Sequence, residues 1–374
     1  MLTLGSFFDG VGTWQLSASK FDIKPVWCSE IDEFPAAVSK HHFPNTKQLG
    51  DITKLTVDDL EPVNIICAGS PCQDLSVAGK RAGLAGERSG LFVDSIKLVH
   101  GLRKQTGSPR YFVWENVPGA FSSNKGHDFR AVLEEITKTE IPMPKDGRWA
   151  ESGYVEWGGT SSLAWRTLDA QYWGVPQRRK RIFLVADFGG RTAREILFIE
   201  QGMCGYSSES QGTREETTAD VGTSVNNTSN GVTYVGFYPQ MKAESMTPMV
   251  EKSPCLVNGT NPGFQNGVYC VGNEQVTKTK LMDIQKTVGA LQSSYYKGER
   301  NGGEGLVPQN KVVRRLTPLE CERLMGLPDG YTDIEFNGKP APDSKRYKAI
   351  GNGMAVPNSD FIMKRISEVL NAKA

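Results

Sequence analysis

The sequence predicts an α/β protein: an open, largely parallel sheet with its chemistry at the strand ends, joined to a second, smaller, irregular β-rich domain. Three observations carry this. Short apolar runs of strand length alternate with amphipathic helices through residues 1–189. The apolar run Asn64–Ala68 is stopped by Gly69-Ser70-Pro71, so Cys72 stands just past a strand end, the edge where ligands sit in open α/β sheets. From about residue 190 to 312 the alternation ceases, and Ser, Thr, Asn and Gly dominate.

A chain of 374 residues accommodates a large domain and a smaller one. Its net charge of +1 gives no global nucleic-acid signature, so any basic surface must be local, as in Arg178-Arg179-Lys180-Arg181. Seven scattered cysteines form no CxxC pair, and the four histidines show no ligand spacing. Neither a metal site nor a disulfide framework is expected. Nothing resembles a basic leader followed by an apolar segment, and no apolar run reaches membrane-spanning length. The expectation is a cytoplasmic protein with reduced cysteines and no membrane partner.

The first strand, residues 2–8, runs into Phe8-Asp9-Gly10-Val11-Gly12. A Gly-x-Gly turn between strand and helix lets the backbone approach a nucleotide-like ligand, although Gln15 stands where the dinucleotide fingerprint has its third glycine. A plain tight turn explains the glycines equally. The second strand, Pro25–Ser29, ends at Glu30, about 20 positions on, where such folds place a ribose-binding carboxylate. A helix over 33–42 and a third strand ending at Gly50-Asp51-Ile52 follow. Asp51 reads evenly as a helix N-cap or as a second ligand contact.

After the Cys72 strand, a run punctuated by Gly79, Gly83, Gly86 and Gly90, with charges between, has the composition of a closing lid. A helix over 90–104 presents Leu91, Ile96, Val99 and Leu102 on one face. The next strand, Tyr111–Trp114, ends in Glu115-Asn116-Val117. A lone glutamate there caps a helix; beside the Cys72 strand end it becomes a second chemical group on the same rim. A lone cysteine, for its part, is more often buried and inert than nucleophilic. Residues 141–160 read as a surface excursion, 163–168 as a strand, and 182–186 as a core strand preceded by the four cations.

Within 190–312, two loosely similar units each read as strand, polar loop and returning strand: 253–257 to 267–269, and 287–291 to 305–307. The stretch 202–231 is nearly low-complexity. Next, Thr317-Pro318-Leu319-Glu320 spells a capping box with proline at the first helical position. Gly351-Asn352-Gly353 then precedes a terminal helix with Ile362, Ile366, Val369 and Leu370 on its apolar face.

Taken together and in order, these motifs resemble the DNA (cytosine-5)-methyltransferase family nearly end to end. Phe8–Gly12 is similar to its first cofactor motif, with Asp9 and Thr13 departing from the commoner residues. Gly69-Ser70-Pro71-Cys72-Gln73 is similar to its nucleophile motif, Glu115-Asn116-Val117 to its ENV motif, and Gln177-x-Arg179-x-Arg181 to its QxRxR motif. Residues 315–328 and 351–353 are similar to its last two motifs, with Gly353 replacing a commoner serine. The resemblance implies a Rossmann-like class I methyltransferase sheet, residues 1–189 completed by 345–374, and a target-recognition domain over 190–344. It implies S-adenosylmethionine as methyl donor, with S-adenosylhomocysteine as product. The implied cofactor contacts are Phe8, Gly10, Gly12, Glu30, Ile31, Asp51, Ile52, Leu91 and Asn352.

The catalytic residues implied by the resemblance are Cys72, Glu115, Arg179 and Arg181. Cytosine C5 is a poor nucleophile until a thiolate adds at C6, which is the part for Cys72. Glu115 neutralises charge developing on the ring, Arg181 binds the O2 carbonyl, and Arg179 braces the lid or a phosphate. The base must leave the duplex stack for this. The implied partners are double-stranded DNA and a cognate restriction endonuclease, with the enzyme a monomer. Sequence choice falls to 190–312, where Asn258, Asn261, Gln265, Gln292 and Arg300 have the chemistry to read base edges, and Lys286 and Lys297 to hold phosphates. A dinucleotide oxidoreductase also uses Gly-x-Gly and Glu30, but the missing glycine and the Cys/Glu rim count against it. A silent DNA-binding relative would not need Cys72, Glu115 and Arg181 intact. tRNA cytosine methyltransferases share the motifs, and the long variable segment favours duplex DNA.

Overall fold

The apolar runs assemble into an eight-stranded sheet of order β3-β2-β1-β4-β5-β8-β7-β6. The computed structural model describes residues 1–71, 90–198 and 316–372, together with the backbone of the strands at 232–237, 249–250, 267–272 and 312–315. Cys72, the glycine-rich run to 89 and the loops bearing Asn258, Asn261, Gln265, Lys286, Gln292, Lys297 and Arg300 lie outside the described residues.

The parallel half contains β1 (Leu2–Phe7), β2 (Ile23–Ser29), the short β3 (Lys47–Gln48), β4 (Ile65–Ala68) and β5 (Tyr111–Asn116). Strand order reverses between β1 and β4, which opens a crevice at their carboxyl ends. β4 is buried along its whole length, as its continuous apolar run predicts for a strand covered on both faces. Crossover helices Thr13–Ser19, Glu33–His42 and Leu91–Thr106 cover the parallel half. In the last of these, Ile96, Val99 and Leu102 are buried as the sequence periodicity requires.

The other half is antiparallel. β8 (Lys180–Asp187) pairs antiparallel with both β5 and β7 (Ser161–Asp169), because the short connection 170–179 cannot make a parallel crossover. The stretch read as a surface excursion instead supplies the sheet's edge strand, β6 (Ser152–Trp157). Aromatics hidden among its prolines and glycines explain this. Trp149 packs on Phe129 and Trp165, with ring centroids 5.3 and 5.9 Å apart. Gly153 lies under the Trp165 ring, where a Cβ would stand 2.0 Å from it.

Beyond residue 198, the strands β9 (Val232–Phe237), β10 (Met249–Val250), β11 (Gly267–Gly272) and β12 (Val312–Arg315) form an antiparallel sheet of order β10-β9-β11-β12. Its β character follows the sequence, and β11 includes the expected 267–269. The remaining expected strands, 253–257, 287–291 and 305–307, lie outside the described residues. Two stretches read as parts of the second domain bury their apolar side chains against the main sheet's helices. Ala193, Ile196 and Leu197 pack with Trp14, Ile362 and Ile366, while Leu316, Leu324, Met325 and Tyr331 pack with Val11, Phe34 and Ile350.

The Pro318–Met325 helix has Thr317 as N-cap and Glu320 completing the capping box, as its sequence spells out. The Gly351-Asn352-Gly353 turn differs from its reading. Gly351 and Asn352 finish the helix Asp343–Asn352, and the chain turns only at Gly353 before the helix Val356–Asn371. Gly353 has φ −69°, so the turn needs no left-handed backbone there. Among the described residues no helix is long and apolar enough to cross a membrane. None of their His, Cys, Asp or Glu side chains group in threes to hold a metal ion.

Candidate active site

The crevice between β1 and β4 widens into a cleft of about 610 Å³, lined from both ends of the sequence. Its floor begins where β1 ends. Phe8 and Gly10 adopt left-handed backbone, with φ 54° and 59°, and Gly12 caps the following helix at φ 83°. A Cβ on Gly12 would meet Phe43 at 3.1 Å, so this glycine serves packing as well as the turn. Phe8 and Gly10 line the cleft; Gly12 does not. The turn is tied to the C-terminal part of the chain, because the Tyr331 hydroxyl donates to the Val11 carbonyl at 2.9 Å.

Glu30 follows β2. Its Oε2 accepts from Gly10 N at 2.8 Å, and its Oε1 accepts from Ile31 N and Asp32 N at 2.9 and 2.8 Å. The carboxylate is thus fixed at the cleft wall with lone pairs left for a ligand's hydroxyls. Beside it Ile31 is 72% exposed, an aliphatic surface facing solvent at the cleft. Asp51 satisfies one of its two readings directly, since it caps the turn Ile52–Lys54 by accepting from Thr53 N at 3.0 Å. These Thr53 hydrogen bonds hold its carboxyl below the ordinary range. Asp51 and Ile52 also line the cleft, with Leu91 and Asn352. Lys348 and Asp32 form an ion pair of 2.6 Å that joins the C-terminal segment to the β2 side.

Glu115 stands at the end of β5, where its Oε1 pairs with Arg181 Nε at 3.0 Å. Both side chains are only 14% exposed. Burial raises the Glu115 pKa above the ordinary carboxylate range, against the opposing pull of Arg181 and then Arg179. Gly69 lies beside this carboxylate; a Cβ there would stand in van der Waals contact with Glu115 Oε2 at 3.4 Å. Such a group keeps its proton to higher pH than an exposed glutamate does. Arg179 is 1% exposed and works differently. Its Nη2 donates to the Gly351 carbonyl at 3.0 Å and to the Gly353 carbonyl. It ties β8 to the C-terminal turn; any contact with the 73–89 stretch lies outside the described residues.

Sequence reasoning missed the fastenings around this cleft. Asn116 Nδ2 donates to the Ser70 carbonyl and Trp114 Nε1 to the Ser70 hydroxyl, each at 3.0 Å, so β5 grips the residue two before Cys72. The other missed element is Asp9. It is 4% exposed, and its carboxylate accepts from Ser6 Oγ at 2.5 Å, Gln15 Nε2 at 2.6 Å and Ser39 Oγ at 2.9 Å. Gln15, noticed only as a missing glycine, is therefore part of the turn's support. The signal was present in two polar residues among apolar neighbours, Gln15 on the first helix and Ser39 on the second.

Burial outweighs these hydrogen bonds and raises the Asp9 pKa from 3.8 to about 6, with Glu30 pushing the same way. The folded chain then holds this proton more tightly than the unfolded chain. Asp9 therefore lowers folding stability as pH rises from about 4 to about 6, by ~3 kcal/mol once ionised. Asp9→Asn removes the ionisation and keeps one acceptor for Gln15 and Ser39. Its stability relative to wild type is expected to rise across that pH window. Denaturant midpoints of both proteins between pH 4 and 7 check this, and parallel curves would contradict it.

The described cysteines, Cys28, Cys67 and Cys321, are all buried, and burial pushes each thiol well above its ordinary range. None of the three suits a nucleophile. What the cleft offers is an anion-lined pocket for a polar ligand with an apolar portion. Beside it sit a buried carboxyl and an arginine, with Pro71 on the same rim.

Three comparisons bear on this arrangement. The family model for C-5 cytosine-specific DNA methylases matches residues 2–368. The chain is 27% identical over 468 aligned residues to the DNA N-6-adenine-methyltransferase of Escherichia phage P1, covering 99% of this chain and 61% of the phage protein's length. It is 26% identical over 361 residues to the Type II methyltransferase M.BsuFI of Bacillus subtilis, covering 95% and 70% of the two chains. In fold it is similar to the crystal structure of S. pombe Dnmt2 methyltransferase, with TM-score 0.61, 16% identity, and 100% and 99% of the two chains covered.

Proposed function

The chain belongs to the C-5 cytosine-specific DNA methylase family, and from this premise we propose that it methylates C5 of a flipped-out cytosine in double-stranded DNA. The observation that carries the reading is the Glu115–Arg181 pair at 3.0 Å, on the cleft rim from which Gly69-Ser70-Pro71 leads to Cys72. Cytosine presents O2, N3 and N4 along one edge. Arg181 has the donors for O2, and Glu115, when protonated, the hydrogen for N3.

Cofactor fit rests on the donor set of the cleft. Glu30 offers a fixed carboxylate for ribose hydroxyls, and Phe8, Ile31, Ile52 and Leu91 offer apolar surface for an adenine ring. Glycine backbone at Gly10 allows close approach of the donor's amino-acid end. S-adenosylmethionine, bound there, supplies an electrophilic methyl group and leaves as S-adenosylhomocysteine. The protein's own residues do the rest. The Cys72 thiolate adds to C6, breaking the 5,6 double bond, while Glu115 delivers a proton to N3; the resulting enamine carries its electron density at C5. Once C5 holds the methyl group, its proton passes to solvent, the C5–H electron pair re-forms the 5,6 double bond as Cys72 leaves as a thiolate, and N3 returns its proton to Glu115.

The phage P1 relative is named for adenine N6, a different chemistry. An exocyclic amine has its own lone pair and needs no thiolate addition, whereas the Pro-Cys-Gln motif, together with a buried glutamate at the end of β5, brings the thiol and the carboxyl that C5 requires. Sequence choice is assigned to the segment 190–312, and a cognate restriction endonuclease fits such a role. Expression in a host without cytosine methylation, followed by genome-wide and tRNA-wide mapping of 5-methylcytosine, tests the function. The expected result is a recurrent short motif methylated in DNA. Methylation confined to tRNA would replace the substrate and keep the chemistry; N6-methyladenine alone would overturn both.

A further inference from the structure

Trp114 makes a contact that the catalytic reading does not use. Its indole is 0% exposed, and its Nε1 donates to the Ser70 hydroxyl at 3.0 Å, itself on a residue only 5% exposed. The ring cannot drift, because Phe92 packs edge-on with centroids 5.5 Å apart and Phe129 lies at 6.4 Å. Phe92 belongs to the helix that begins at Leu91. One rigid side chain in the middle of the sheet thus touches residues on both sides of the segment 72–89: Ser70 before it and Phe92 after it.

The backbone explains why this matters. β4 ends at Ala68, so Gly69 and Ser70 have left the ladder and have no sheet partner beyond Ala68↔Trp114. Pro71 has no N–H with which to anchor itself, and its ring transmits the position of Ser70 to Cys72 with little torsional freedom. Position 70 is the last described residue before Cys72 with a polar side chain. It is fixed twice from β5: at its carbonyl by Asn116 and at its hydroxyl by Trp114.

We propose that the Trp114–Ser70 hydrogen bond is a positioning device that holds the approach to Cys72 in register with Glu115 on the adjoining strand. Trp114 and Ser70 are positioning residues; neither touches the base. The inference rests on the reading of Cys72 as the nucleophile. It also accounts for residue choices that the chemistry leaves free, a hydroxyl before the proline and an indole before the glutamate. An aliphatic residue would fill either place but make no bond.

Turnover of unmethylated bacterial genomic DNA with labelled S-adenosylmethionine tests it, in Trp114→Phe, Ser70→Ala, the double variant and Ser70→Thr. Trp114→Phe keeps an aromatic ring and loses the donor, and Ser70→Ala loses the acceptor. Each is expected to lower kcat by about 3- to 10-fold, the scale of one net hydrogen bond, with the KM for the cofactor within about twofold. The double variant should be no slower than the slower single, and Ser70→Thr, which keeps the hydroxyl, should recover most of the rate. Loss of less than twofold in both singles, losses that multiply in the double, or a threonine variant as slow as alanine would each overturn the proposal. Cys72→Ser measured alongside separates the two claims. An active Cys72→Ser overturns the nucleophile reading and this inference with it; an inactive one beside full-rate Trp114→Phe and Ser70→Ala overturns this inference alone.

Discussion

Cys72→Ser is expected to abolish methyl transfer while leaving cofactor and DNA binding in place. The chemistry asks for an anion at C6, and a serine hydroxyl ionises several pH units above a thiol. The expected loss exceeds about 10³-fold, the scale on which covalent catalysis collapses when its nucleophile is removed. Labelled-cofactor transfer measures the loss, and equilibrium binding of the cofactor shows that the cleft is intact. Transfer within tenfold of wild type would mean that the base is activated by another route.

Glu115→Gln carries the second large effect. The change preserves shape and an acceptor for Arg181, but removes the ionisable carboxyl whose pKa burial raises. A positioned acid of this kind is worth roughly 10²–10⁴-fold in rate, and the variant should lose that much in single-turnover methylation. The pH dependence has a definite sign. Because burial raises the Glu115 pKa, the protonated form persists to higher pH than for an exposed glutamate. Wild-type rate should fall as pH rises through that value, and the glutamine variant should lack this limb. A loss under about threefold, with the limb unchanged, would reduce Glu115 to a structural partner of Arg181.

Local signals with one physical meaning were legible in the sequence. The capping box at Thr317–Glu320 has a single use, and the structure employs it at the residues expected. The buried run ending at Ala68, the Gly-x-Gly turn and Glu30 each mark a strand end, and the cleft collects Phe8 with Gly10, Glu30, Asp51 and Glu115 from four places in the chain. What stayed hidden was mostly partnership between distant side chains. Nothing in residues 111–116 announces that Trp114 and Asn116 both reach back to Ser70, or that Arg179 holds the backbone of residues 351 and 353. Composition also misled. Residues 141–160 are punctuated by glycine and proline, yet Trp149 and Gly153 serve a packed edge, the glycine being small because Trp165 lies across it. The antiparallel half of the sheet escaped because a strand's direction depends on its connection, which periodicity does not show.

The central claim is that Cys72 attacks the cytosine ring, and trapping that attack tests it most directly. DNA amplified with 5-fluoro-2′-deoxycytidine triphosphate offers a ring whose C5 fluorine cannot leave as a proton does, so the covalent complex persists after methyl transfer. Incubation with the protein and S-adenosylmethionine, then protease digestion and mass spectrometry, locates the bond. The expected product is a methylated fluorocytosine adduct on the peptide containing Cys72, dependent on the cofactor and missing from Cys72→Ser. An adduct on another cysteine, or efficient methylation of ordinary DNA without any trapped species, would contradict it.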